Sequence, residues 1–204
     1  MENERLYERE GHFDAFTDLL FNALLGFAFM FFIAFLLINP DAEAGKVELK
    51  AEFIITVSWP DRHPDDIDTY VQDPVGNIVW YKWKEAGLMH LDRDDRGNYR
   101  DTILVKGKPV ASPLNQETVT LRGIVAGEYT VNIFHFLATS TDAVPVSIKV
   151  EKINPSVSVV YYDTLELDHR GHERTAVRFR VSSDGSIENT SFRQKSLARE
   201  VHKE

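Results

Sequence analysis

Leu19–Ile38, LLFNALLGFAFMFFIAFLLI, divides this chain into two unlike parts. Asn22 is the single strongly polar side chain in the run. Wound as an α-helix at about 1.5 Å per residue, it covers about 30 Å, the thickness of a bilayer's hydrocarbon core. Asn39-Pro40-Asp41 follows and ends the helix, because proline cannot continue one and disfavours helical geometry in the residue before it. The mean hydropathy of −0.27 hides this segment by averaging it with a polar remainder.

Upstream, residues 1–14 form a short acidic leader. Counted through Asp18, six acids face two arginines, a net of −4, which leaves 26 acids and 21 bases, a net of −5, for the rest of the chain. Ala42-Glu43-Ala44 after the apolar run has the small-residue form of a signal-peptide cleavage site. The run is nevertheless longer than a signal core, and the leader is acidic where a signal peptide is basic. A retained anchor over residues 15–38 is therefore the expectation. Arg5 and Arg9 on one side balance Lys46 and Lys50 on the other, so flanking charge does not orient the helix. A short leader left in the cytoplasm and a large exported domain is the simpler arrangement.

Downstream of a linker at 39–45 the texture becomes β. Phe53, Ile55, Val57 and Trp59 alternate with Ile54, Thr56 and Ser58, the period of a half-buried strand. Similar runs occupy 67–72, 77–84, 117–122, 128–137, 144–153, 156–167 and 174–182. Turn residues separate them at Asp73-Pro74-Val75-Gly76, Arg96-Gly97-Asn98, Ala126-Gly127 and Asn154-Pro155. Strands of this number and spacing predict one transmembrane α-helix followed by an all-β, immunoglobulin-like antiparallel sandwich over residues 46–183. Lys106–Gln116, with Pro109 and Pro113, reads as a long loop, and 184–204 as a polar tail with a short helix or frayed end.

Charge and composition narrow the function. No basic stripe is present, which argues against nucleic acid as a partner. The absence of cysteine excludes disulfides, zinc–thiolate sites and thiol catalysis. No nucleophile motif, phosphate loop or pair of catalytic carboxylates stands out, so no enzymatic activity is expected. His63, His90, His135, His169 and His172 lack the helical or finger spacing of a zinc site.

Asp14, Asp18, Asn22 and Gly26 recur every four residues and share one helix face, drifting about 40° per step. A carboxylate inside lipid is unfavourable by roughly 2.5–3.5 kcal/mol at mid-membrane and by less near the end. Such a stripe selects for a protein partner or a water-filled path, and Gly26 lets another backbone approach. The plainer reading is that Asp18 closes the span in the headgroup region, favoured by the helix dipole. Asn22, one turn deeper, is not needed for that.

Phe16-Thr17-Asp18-Leu19-Leu20-Phe21-Asn22-Ala23-Leu24-Leu25 resembles the start of the transmembrane helix in the ExbD, TolR and MotB group. That group has a short cytoplasmic leader, an early aspartate, one apolar helix and a periplasmic domain. The resemblance covers about residues 12–38. It implies a subunit of a proton- or sodium-driven motor in the bacterial inner membrane, with the N-terminus cytoplasmic and the C-terminal domain periplasmic. Asp18 would carry the ion, Thr17 would stand beside it, and Asn22 and Gly26 would pack the helix. Two such helices, a homodimer, would sit inside a ring of multi-pass subunits related to ExbB, TolQ or MotA. No peptidoglycan-binding domain of the MotB type is recognisable downstream, so the resemblance does not give the motor's load.

In the exported part, Asp66-Ile67-Asp68-Thr69-Tyr70-Val71, then Asp73-Pro74-Val75-Gly76-Asn77-Ile78-Val79-Trp80, then Leu91-Asp92-Arg93-Asp94-Asp95, resemble a family of bacterial exported β-sandwich modules. Asp66, Asp68, Asp92, Asp94 and Asp95 form a candidate calcium site, since calcium takes six to eight oxygen ligands. The competing reading is turn chemistry, with the aspartates capping loops and paired to Arg93 and Arg96, and the lack of a full EF-hand spacing favours it. Two functions thus remain: an ion-driven transducer, or a passively anchored module that binds a glycan or protein.

Overall fold

The computed structural model describes residues 2–38, 50–97 and 102–202, with the side chains of 2–14 and 36–38 excepted. The chain falls into two compact units, Met1–Glu48 and Leu49–Glu204. The first holds α1 (Glu2–Ile38), a single helix of 37 residues that is long and apolar enough to cross a membrane over Ala15–Phe35. It extends the expected helix backwards through the leader, whose Glu- and Arg-rich sequence contains no proline to stop it. The Ala42-Glu43-Ala44 triplet and the 39–45 linker lie outside the described residues.

The second unit is built from β1 (Phe53–Trp59), β2 (Asp66–Gln72), β3 (Ile78–Val79), β4 (Glu85–Ala86), β5 (Met89–Arg93), β6 (Thr102–Val105), β7 (Lys108–Ala111), β8 (Asn115–Leu121), β9 (Gly127–Leu137), β10 (Val144–Lys152), β11 (Ser158–Leu167), β12 (Glu173–Val181), β13 (Ile187–Ser191) and α2 (Ala198–Val201). One sheet runs β11-β10-β1-β8-β5-β4 and the other β13-β12-β9-β2-β3, and every paired neighbour is antiparallel. The inner stretches β10-β1-β8-β5 and β2-β9-β12 follow the A-B-E-D and C-F-G orders of an immunoglobulin sandwich. Here β10, which comes after β9, takes the place beside β1 that an N-terminal strand fills in that fold.

Alternation makes the core. Phe53, Ile55, Val57 and Trp59 are buried while the residues between them are half-exposed, and Val144, Val146, Ile148 and Val150 repeat the pattern on β10. The opposite sheet contributes Tyr129, Val131, Ile133, Val177, Phe179 and Val181. Phe53 meets Phe179 across the sandwich at 5.7 Å between ring centres, and Phe179 stacks on Tyr129 at 5.4 Å. The Tyr129 hydroxyl oxygen accepts the Val125 N–H at 2.9 Å, pinning the crossing from β8 to β9 in the manner of a tyrosine corner.

The fold departs from the sequence reading in four places. The run expected over 77–84 is strand only at Ile78–Val79, after which Tyr81 and Lys82 turn the chain between Trp80 and Trp83. Lys106–Gln116 is no loop: Lys106 and Gly107, at φ 51° and 76°, turn the chain so that β6 and β7 pair as a separate ribbon. Lysine rarely takes this conformation, so the residue that makes the turn gave no warning. Met89–Arg93, absent from the expected strands, is a strand with Met89 and Leu91 facing the core. Residues 184–202 are no free tail, because β13 joins its sheet at β12 and Leu197 is fully buried with Ala198 against Tyr70 and Trp80. Glu173 holds that segment by accepting the Leu197 and Ala198 N–H groups at 2.7 and 3.0 Å.

Phe179→Ala removes a ring shared by both sheets and should destabilise the sandwich by about 3–5 kcal/mol. Thermal unfolding of the purified chain would show this as a fall in melting temperature of roughly 10 °C.

Candidate functional site

On α1 every side chain from Ala15 to Phe35 is exposed in the isolated chain, including nine large apolar residues from Leu19 to Phe31 and the polar stripe. Asp18 lies three residues inside the apolar span, a depth of about 4–5 Å, and Gly26 eleven residues in, about 16 Å and close to its middle. A Cβ added to Gly26 would meet nothing in the chain within 4 Å. Thr17, Asp18, Asn22 and Gly26 thus occupy one continuous helix within the span. The Asp14 side chain lies outside the described residues.

In the sandwich, a second group of acids is buried. Asp66 and Asp68 alternate with Ile67 and Thr69 along β2, a strand with every residue buried. Strand β3 pairs only with Val71 and Gln72, so among the described residues no strand lies beside the edge of β2 near Thr69. Glu117, inward-facing on β8 of the other sheet, fills that edge, and its Oε2 accepts the Thr69 N–H at 2.6 Å. Asp94, in the loop after β5, completes the group: one carboxylate oxygen from each of Asp68, Asp94 and Glu117 lies within 4.8 Å of the other two. Gly97, at φ +62°, seats this loop; a Cβ there would come within 2.7 Å of the Pro64 and Asp65 carbonyl oxygens.

Asp68 and Glu117 are only 2% and 1% exposed. Asp68 Oδ2, Glu117 Oε1 and Asp66 Oδ1 are buried and have no hydrogen-bond partner among the described residues. Lys84 donates to Asp94 Oδ2 at 2.8 Å, with Arg96 4.0 Å from the same oxygen. Burial, reinforced by the charges of Asp66 and Asp94, raises the Asp68 carboxyl to about 8. Burial and the neighbouring Asp94 raise Asp66 to about 6. Burial and Asp68 hold Glu117 well above the usual carboxylate range, against the pull of its hydrogen bond from Thr69.

The five acids singled out in the sequence therefore separate. Asp68 and Asp94 belong to the group, and Asp66 lies beside it. Asp92 does not: strand alternation turns it outward, where it meets His90 at 2.7 Å and Arg122 at 3.1 Å. Asp95 is engaged by Arg93 at 2.8 Å and by the Gln116 N–H at 3.3 Å, the loop-capping role, while its Oδ1 is buried without a partner among the described residues. Glu117 was missed. Its signal was the alternation Asn115, Glu117, Val119, Leu121, which aims an acid at the core.

Asp65 shows how this fold treats a structural buried acid. Its carboxylate accepts from the Thr139 N–H and hydroxyl and the Ser140 N–H, and meets His135 Nε2 at 3.0 Å. Burial pushes its pKa up, and those four contacts outweigh burial and bring it below the ordinary value. A third cluster, Asp168, His169 and His172, lies on the turn between β11 and β12, with Asp168 Oδ1 at 2.5 and 2.7 Å from the two imidazoles. Asp168 and His169 are open to solvent and the rings stack 4.9 Å apart, so this is a surface pairing. Comparisons of the chain with protein-family profiles, with curated proteins and with solved structures give no match.

Carboxyls with folded-state pKa values of about 6 and 8, against about 3.9 unfolded, bind protons more tightly in the folded state. Their contribution is most favourable near pH 4 and is lost as the pH rises through 6 and 8. In chelator, the melting temperature should therefore climb as the pH is lowered from 8 to 5, and Asp68→Asn should flatten that slope in the same scan.

Proposed function

We propose that this chain is the single-pass membrane subunit of a proton- or sodium-driven motor, in which ion passage at Asp18 moves the β-sandwich body. The observation that carries the reading is the position of Asp18, inside an unbroken helix whose apolar span is exposed all round in the isolated chain. An acid there is unfavourable in lipid unless a protein partner or a water-filled path receives it, and an ion path would supply both. Asn22 and Gly26, at successive turns on the same face, give that path a polar side chain and a close backbone approach. The resemblance to the ExbD, TolR and MotB group supports the same role, with a homodimer inside a ring of multi-pass partner subunits. It also supports a bacterial inner-membrane setting, with the leader in the cytoplasm and the body in the periplasm.

The second reading, a passively anchored binding module for a glycan or protein, is favoured by an open cleft of about 780 Å³ at one end of β3. Trp80, Trp83 and Lys82 line it, Trp83 exposed, and Lys82 Nζ lies 5.4 Å from the Trp80 ring centre. Aromatic faces beside a cation suit sugar rings, and the same cleft would serve a motor as the place where its load attaches. The two readings differ in what Asp18 does.

A multi-pass membrane protein is expected to co-purify with the chain; the two should be expressed together, and ion entry followed in energised cells with a pH- or sodium-sensitive dye. Asp18→Asn is expected to leave co-purification intact and lower the ion flux at least tenfold. Flux equal to that of the unsubstituted chain would overturn the motor reading. Gly26→Leu meets no obstacle within the chain, so it should leave the body's melting temperature unchanged and reduce co-purification.

A further inference from the structure

We infer that Asp68, Asp94 and Glu117 bind one calcium ion, which ties the two sheets of the sandwich together. The first argument is geometric. Two oxygens on one calcium ion, each at about 2.3–2.6 Å, are at most about 5 Å apart. One carboxylate oxygen from each of the three residues satisfies this limit with respect to both others. They come from separate parts of the fold: Asp68 from β2 in one sheet, Glu117 from β8 in the other, and Asp94 from the loop that Gly97 holds in place. Asp66, on the same side of β2 as Asp68, offers a fourth carboxylate to the same region.

The second argument is what the fold omits. Asp65, equally buried, receives donors for both of its oxygens. Asp68 Oδ2, Glu117 Oε1 and Asp66 Oδ1 receive none among the described residues, although Asp68 and Glu117 are almost wholly enclosed. Among the described residues Lys84 and Arg96 form ion pairs with Asp94 and none with Asp68 or Glu117. Carboxyl oxygens buried together without donors must be neutralised, by protons or by a cation between them. The donor set consists of oxygens alone, with neither histidine nor cysteine, which selects a hard cation over zinc or copper. Carboxylates from three segments form a site that can adapt its shape, which suits calcium better than the small, strictly octahedral magnesium ion.

Protons are the rival occupants, and calcium binding separates the two. The full chain, purified in detergent and stripped with chelator, should bind one calcium per chain by titration calorimetry at neutral pH. At a hundredfold excess over Kd its melting temperature should rise by roughly 5–10 °C. Glu117→Gln should abolish both signals. Should that variant fail to fold, Asp94→Asn, at the loop, should weaken binding at least tenfold. Absence of saturable calcium binding up to millimolar concentrations would overturn the site, as would unaltered binding by Asp94→Asn. An equal response to magnesium would overturn the assignment to calcium. Asp18 takes no part in these measurements, so their failure and that of the motor reading are distinguishable.

Discussion

Glu117 reaches from one sheet into the open edge of the other, and the polar interior of the sandwich is arranged around that reach. A sandwich normally closes on apolar side chains alternating inward from both sheets. Here the alternation on β8 runs Asn115, Glu117, Val119, Leu121, so half of its inward face is polar. The gap it fills exists because β3 is two residues long and leaves the first part of β2 uncovered. The Thr69 N–H would otherwise be stranded there, and the Glu117 carboxylate satisfies it. Oε2 of Glu117 is thereby engaged, while Oε1 stays buried without a partner among the described residues. An unpaired buried carboxylate is unfavourable by several kcal/mol, so the group must take up a proton or a cation.

The architecture was legible wherever hydrophobic period and turn residues agreed. Phe53–Trp59, the long run at 128–137 and the Asp73–Gly76 turn could be read because each pattern is local. The helix was legible for the same reason, since an apolar run of this length has few other uses. The ribbon of β6 and β7 was not, because its turn uses a lysine at positive φ and its strands carry Ile103, Leu104, Val105 and Val110 in the open, without alternation. The C-terminal segment was hidden by composition. Ser196-Leu197-Ala198 looks polar and short, and residues distant in sequence, Glu173 by hydrogen bonds and Tyr70 and Trp80 by packing, make it part of the body.

The acidic site was half legible. Aspartates in D-x-D and L-D-x-D-D runs attract notice as a set, yet strand geometry sorts them one by one. Asp92 and Asp94 are two apart and end in different surroundings, because the pairing of β5 with β8 shifts register between Leu91 and Arg93 and resets the alternation before Asp94. Glu117 lay in a run that looked like an ordinary strand. Its importance depends on the missing neighbour of β2, a fact of sheet order that no local pattern carries.

Under the proposed function, β1 is the first strand of the sandwich that tension carried along the chain from α1 would reach. That strand is internal to its sheet: it pairs with β10 from Phe53 to Ser58 and with β8 from Phe53 to Trp59. Tension applied along β1 would load both ladders in shear, so that many hydrogen bonds resist together, whereas an edge strand would be peeled from one side. Strand β8 passes that load to Glu117, and Glu117 faces Asp68 on β2, in the opposite sheet and next to β9. A cation held there would join the loaded sheet to the one it would otherwise slide against. Forced unfolding is governed by the unfolding rate, so a tie across the sheets matters more under load than its share of equilibrium stability suggests.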